Sequence, residues 1–264
     1  MLEKGGGTVK TFCFTVDDNI RFLKELTEQN AGSLFDHPYP AMLRRLHEKF
    51  HVKIQLNLFY RMEGFELARM SDRYAKEWEE ASEWLKLSFH SDRENESPYE
   101  NAGYEEVFSD CHAVNEQILR FASPKSLAKT TTVHYCRTTA EGLTALADNG
   151  VVGLLGLFGS SDAPSISYGL DEKTAEAVRG GATVSVDGMA FASIDMVVNR
   201  VKLQDLLPRL GELLCRDSIR IMIHEQYFYE DYRSYQAEFE EKLVTVLQAL
   251  GDRGYQSRFF EETF

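Results

Sequence analysis

Strand-like and helix-like segments alternate along nearly the whole of the 264 residues, with no internal repeat and no flexible linker. Two strands joined by a helix run parallel, because the helix must cross the sheet to return the chain. About seven such alternations predict a parallel α/β sheet with helices outside, either closed as a barrel or open. A single barrel is routinely this long, so one domain over 1–264 is expected. The stretch 151–158 (Val-Val-Gly-Leu-Leu-Gly-Leu-Phe) is a continuous apolar run, as in a strand buried on both faces.

Other strands are read at 10–16, 52–59, 84–90, 130–135, 219–223 and 255–260. Those at 52–59 and 84–90 alternate apolar and polar residues, a half-buried pattern. Helices are expected from Ile20 to about Asn30, then over 41–50, 74–84, 140–149 and 203–214. Val107, Cys111, Val114, Ile118 and Phe121 mark a further helix at steps of four and three, and Phe239, Leu243, Val246 and Leu250 mark the last. Stretch 91–99 is polar and reads as a loop, and regular alternation is interrupted from Gly159 to Ala192. Within the latter, 183–191 reads as a β-hairpin about Asp187-Gly188, an insertion in the barrel; 192–198 is its continuation or a separate strand.

The formal net charge of -13 opposes nucleic-acid binding, which needs a basic surface. No apolar run is long enough to span a membrane. Cys13, Cys111, Cys136 and Cys215 lie far apart, and three sit in apolar patterns typical of buried thiols. With a polar, glycine-rich stretch at 1–10 and no apolar signal segment, a cytoplasmic location is expected.

Strand 10–16 stops at two adjacent acids, Asp17 and Asp18. Two carboxylates about 4 Å apart repel by roughly 4 kcal/mol at an effective dielectric of about 20, so something must offset them. Either a cation meets the pair, or one acid caps the following helix while the other faces water. Other strands end near titratable groups as well: His90, His134 with Arg137, and His224, with Asp195 late in 192–198. In parallel barrels, catalytic groups come from such strand ends.

Thr15-Val16-Asp17-Asp18-Asn19 resembles the Thr-Phe-Asp-Asp-Gly motif of the polysaccharide deacetylase superfamily, which includes the family 4 carbohydrate esterases. Ser88-Phe89-His90-Ser91 with Glu94 is similar to that family's His-Ser-x-x-His motif. Arg137, Ser193-Ile194-Asp195 and Ile221-Met222-Ile223-His224 resemble its third, fourth and fifth motifs, in family order. Glu94 stands for the usual second histidine, Asn19 for glycine and Met196 for tryptophan, and Arg137 lacks the proline and aromatic that normally follow.

The resemblance implies a distorted (β/α) barrel and metal-assisted hydrolysis of an acyl group, expected to be N-acetyl, on a carbohydrate or related amide. Asp18, His90 and Glu94 would hold the metal: zinc, with cobalt, nickel or manganese as alternatives. Asp17 would be the base for the attacking water and Arg137 its orienting partner; His224 would be the acid, with Asp195 holding its proton. The aromatic-acidic run after His224 suits a small carbohydrate or acylated amino sugar, Tyr227 and Phe228 packing on sugar faces, although these rings also suit packing of the loop onto the barrel. Two other readings stand beside this one. The first is a non-catalytic barrel that binds a glycan or protein partner. The second is a metal-free enzyme using His134 or His224 as a base.

Overall fold

The computed structural model describes residues 9–94, 99–158 and 167–264; parts of the expected loop at 91–99 and of the interrupted stretch fall outside these. The first third comprises β1 (Thr11–Asn19), α1 (Arg21–Gln29), α2 (Pro38–Phe50), β2 (Ile54–Phe59), the small pair β3 (Arg61–Met62) and β4 (Phe65–Glu66), α3 (Ala75–Ala81) and β5 (Leu85–Ser91). Next come α4 (Tyr104–Phe121), β6 (Thr130–Thr131), α5 (Ala140–Asp148), β7 (Gly153–Gly156) and α6 (Glu172–Arg179). The chain continues through β8 (Val184–Val186), β9 (Met189–Ser193), β10 (Met196–Val197), α7 (Leu206–Leu213), β11 (Ser218–His224), α8 (Phe239–Asp252) and β12 (Gln256–Ser257).

β1 lies between β2 and β11, parallel to both; β5 extends the sheet beyond β2, and β10 beyond β11. A second parallel run joins β6, β7 and β9, with β8 antiparallel at its edge. Backbone bonds stitch the two runs at both seams. Ala128 N–H donates to Leu87 O and Leu87 N–H to Ser126 O, each at 2.8 Å; on the other side, Ile194 N–H reaches Gly156 O and Asp195 N–H reaches Arg220 O, also at 2.8 Å. The result is a distorted (β/α) barrel in the order β1, β2, β5, β6, β7, β9–β10, β11, one of the two arrangements that the alternation allows and the one that the resemblance implies.

Strand periodicity divides the apolar residues between two cores. Phe12, Phe14 and Val16 of β1 and Ile219, Ile221 and Ile223 of β11 face the helical layer. Cys13, Met222, Leu155, Ala190 and Ala192 fill the barrel and rest on Phe260. β2 departs from the half-buried expectation, since all six residues are buried. Its polar members enter the barrel, where neighbours satisfy them: Gln55 Nε2 donates to Thr130 O at 2.8 Å, Thr130 Oγ1 to Gln55 Oε1 at 3.0 Å, and Ser88 Oγ to Asn57 Oδ1 at 2.6 Å. Alternation here separates a polar face inside the barrel from an apolar face outside it, not core from solvent.

Three further expectations change. The hairpin forms, with Asp187 at φ 50° and Gly188 at φ 83° as its turn requires. Its second arm is nonetheless a barrel strand, and only β8 is an excursion. The strand at 130–135 is cut to Thr130–Thr131, because the chain turns at Tyr135, φ 58°. At 255–260 only Gln256 and Ser257 pair with β1. The chain then crosses the barrel floor, where Lys86 Nζ donates to Glu261 Oε1 at 2.7 Å.

Phe260 is 1% exposed and closes the inner core. Phe260→Ala is expected to lower unfolding free energy by about 3–5 kcal/mol, as for other buried Phe deletions. Urea titration of the two proteins measures it; a loss under about 1 kcal/mol would show that the floor does not hold the barrel together.

Candidate active site

The double aspartate ends β1 with a bulge. Val16 pairs with Leu56 and Asn19 with Leu58, so Asp17 and Asp18 together oppose Asn57 alone. Asp18 takes φ 62°, a region in which Asp is among the better-tolerated side chains. In a regular strand neighbouring side chains point to opposite faces, and Asp18 would enter the apolar helical layer. The bulge brings it to the top of the barrel with Asp17. Asn19 stitches the bulge: its Nδ2 donates to Val16 O at 2.6 Å and Asn57 O at 3.2 Å, and Tyr39 OH donates to its Oδ1 at 3.1 Å. Neither aspartate caps α1. Glu225 does so from the end of the neighbouring strand β11, accepting from the backbone N–H groups of Ile20 (2.7 Å), Arg21 (3.1 Å) and Phe22 (2.8 Å).

Asp18 meets two imidazoles. His90 Nε2 lies 3.0 Å from its Oδ1 and His134 Nδ1 lies 3.4 Å from it, while the two ring nitrogens are 3.1 Å apart. His90 Nδ1 sits 2.5 Å from Thr132 O, a pure acceptor, so Nδ1 carries a proton and the Nε2 of the neutral ring turns its lone pair inward. Asp18 Oδ1, His90 Nε2 and His134 Nδ1 can each turn a lone pair toward the others, an arrangement that needs a proton or cation among them. Donors about 2.0–2.1 Å from a zinc-like ion stand about 3.3 Å apart in a tetrahedron, close to these separations, and one carboxylate with two imidazoles suits such ions. The backbone carbonyl on His90 is the outer support that metal-bound histidines generally have. The site therefore fits a divalent transition metal. Burial alone would raise the Asp18 pKa, yet where protons on the ring nitrogens stand in place of a cation, hydrogen bonds from His134 and His90 hold it well below the usual carboxylate range.

Glu94 does not join this cluster. It borders the cluster from an exposed position, where burial of its carboxyl and the charge of Asp18 raise its pKa, and His134 takes the third position, its ligand atom within 4.8 Å of those of Asp18 and His90. The sequence displays His134 as a strand-end histidine, but its path inward depends on the turn at His134–Cys136, which propensity does not reveal.

Asp17 is buried, and burial raises its pKa to about 6. Asn57 Nδ2 donates to its Oδ1 at 2.6 Å. The Asn57 amide is oriented by its own neighbours, since Oδ1 accepts from Gln55 Nε2 at 2.8 Å and Ser88 Oγ at 2.6 Å, which turns Nδ2 to Asp17. Arg137, expected in this role, pairs with Glu100 at 2.6 Å near the surface.

His224 Nδ1 lies 2.9 Å from Asn199 Oδ1 and so carries the proton, leaving Nε2 for the site. Asp195, expected as its partner, instead accepts from Arg216 and, at 2.8 Å, from Arg220 N–H. The carboxylate sits beside the middle of β11, whereas His224 ends that strand, so it is too far down the barrel to serve. Asn199 follows β10 directly and carries no sequence signal of its role. The ring of Tyr227 stands 6.0 Å from that of His224 and borders the site. Phe228 turns into the core against Tyr39 (5.3 Å) and Phe239 (5.7 Å).

No family model matches the chain, and no curated protein matches it by sequence. Solved structures do match it. A family 4 acetyl xylan esterase from Clostridium thermocellum, in complex with a cobalt ion, superposes at TM-score 0.54 with 13% identity over 97% of this chain and 90% of that one. A 4-alpha-glucanotransferase from Thermococcus litoralis superposes at TM-score 0.64 with 12% identity; the match covers 97% of this chain but 40% of the glucanotransferase. The chain thus has the fold of the family 4 carbohydrate esterases.

Burial of His224 lowers its pKa from 6.5 to about 4. An unfolded chain takes up this proton near 6.5, the folded one only near 4, so stability from this group is complete above pH 6.5 and is lost as pH falls through about 4. His224→Gln is expected to flatten the fall in unfolding free energy between pH 6.5 and 4 by close to one proton's linkage. Urea titrations across that window test it; an unchanged slope refutes it.

Proposed function

We propose that this chain is a divergent member of the polysaccharide deacetylase superfamily, a divalent-metal-dependent hydrolase that removes an acyl group from a carbohydrate. The observation that carries the reading is the convergence of Asp18, His90 and His134 beside Asp17 and His224 at one end of the barrel. Zinc or cobalt suits this donor set, and the cobalt ion of the acetyl xylan esterase agrees with it. A bound divalent ion supplies Lewis-acid polarisation of the acyl oxygen and lowers the pKa of water toward about 7. Asp17, oriented by Asn57, takes the proton from the attacking water. His224, its Nδ1–H held by Asn199, would take up a proton at Nε2 during the reaction and pass it to the leaving group.

Tyr227 and the exposed Tyr135, whose ring lies 4.2 Å from that of His134, offer aromatic faces to a sugar ring. Unpaired Cys13, Cys111 and Cys136, all buried, suit a reducing compartment. No helix among the described residues is long and apolar enough to cross a membrane.

One observation favours a second reading, a barrel that binds a glycan or partner without turnover: amides occupy the supporting positions at Asp17 and His224 where the resemblance implies charged groups. Acetate release from a panel of O- and N-acetylated sugars decides between the two.

Zinc is expected to bind at one equivalent per chain. Asp18→Ala and His134→Ala should each abolish binding, and Glu94→Ala should leave affinity within about twofold, since Glu94 lies outside the cluster. Titration calorimetry measures all four proteins; a wild-type protein that takes up no divalent ion refutes the metal-dependent reading. Asp17→Asn is expected to retain zinc and lose about 10²–10⁴ in turnover, the usual contribution of a positioned base. Unimpaired turnover in that variant removes Asp17 from the mechanism.

A further inference from the structure

The two oxygens of Asp18 have different neighbours. Oδ1 faces His90 Nε2 at 3.0 Å and His134 Nδ1 at 3.4 Å, whereas Oδ2 accepts a hydrogen bond of 2.6 Å from Gln226 Nε2. The amide has only one workable orientation, because its oxygen against a carboxylate oxygen would set two acceptors face to face. With Nε2 committed to Asp18, Gln226 Oε1 is buried without a partner. An unpaired buried carbonyl is costly, and a residue that merely fills space would not need one.

Gln226 is held in place from its own backbone. It lies in the 3₁₀ turn Glu225–Phe228 that opens at the end of β11. The preceding residue, Glu225, is tied to Ile20 N–H at 2.7 Å and Phe22 N–H at 2.8 Å, just beyond Asp18 in the chain, and accepts from Tyr229 OH at 2.5 Å. The turn is therefore pinned to the same segment that carries the carboxylate it serves.

We propose that Gln226 is a positioning residue that restricts Asp18 to one-oxygen ligation. By occupying Oδ2 it leaves Oδ1 to join the two imidazoles, giving three protein donors and an open fourth position. Catalytic sites keep such a position for water or substrate, and structural sites fill it. A carboxylate free to bind through both oxygens would close it. The proposal rests on the metal-dependent reading above.

Gln226→Met keeps the length of the side chain and removes both hydrogen-bonding groups, and Gln226→Leu provides a second, shorter apolar variant. Each is loaded with Co²⁺ for visible absorption, and with Zn²⁺ in competition with a chromophoric chelator. In both variants the cobalt bands should weaken relative to wild type, as the second Asp18 oxygen raises the coordination number. Zinc affinity should fall by about 10–100-fold, the usual effect of losing an outer-sphere partner. Variants with the wild-type cobalt spectrum and zinc affinity overturn the proposal while leaving the metal site intact. A wild-type protein that binds neither ion overturns the metal-dependent reading as well.

Discussion

The bulge in β1 is the constraint on which the site depends. An aspartate held at φ 62° is an uncommon conformation, and it persists here because its surroundings determine it from several sides. Asn19 bonds the backbone on both flanks, Tyr39 fixes Asn19, and Glu225 anchors the helix that begins immediately afterwards. A regular strand would offer the barrel mouth one carboxylate and bury the other among the helices. With the bulge, both carboxylates reach the barrel mouth, the first held by Asn57 and the second meeting the imidazoles.

Around this pair, carboxamides occupy the supporting positions. Asn57 holds Asp17, Asn199 holds His224, and Gln226 holds Asp18. An amide fixes direction without adding charge, so each supported group has its ionisation set by burial and by its neighbours in the site. The charged residues that the resemblance nominates are engaged elsewhere, Arg137 with Glu100 and Asp195 with Arg216. Amides, not charged groups, hold Asp17, Asp18 and His224 in this barrel.

The architecture was legible in the sequence because alternating strand and helix leave few solutions, and Phe14 or Ile221 reports its own environment directly. The ends of strands were legible too, which is how Asp17, Asp18, His90 and His224 stand out. Partners drawn from turns were not. His134 reaches inward because the backbone inverts at Tyr135, and Asn199 reaches His224 from a short turn after β10. Neither depends on periodicity or propensity. Gln55 and Asn57 were visible as polar beats in an alternating strand, but alternation cannot say whether a polar face looks at water or at the inside of a barrel.

β1 comes first in the chain, yet its neighbours β11 and β12 come last, and Asp17 lies directly opposite His224 in that pairing. These contacts span most of the sequence, and contacts of that kind form late, because the loop they close must be ordered before they reward it. The helices and the β2–β5 pair can assemble while the barrel is still open. The full constellation at its mouth, by contrast, has no local precursor: Asp18, His90 and His134 come from the stretch between β1 and the turn after β6, and His224 and Gln226 join them only when the two ends of the fold meet. Completeness of this constellation therefore reports completion of folding, and a chain stalled short of closure would be compact with its mouth unfinished.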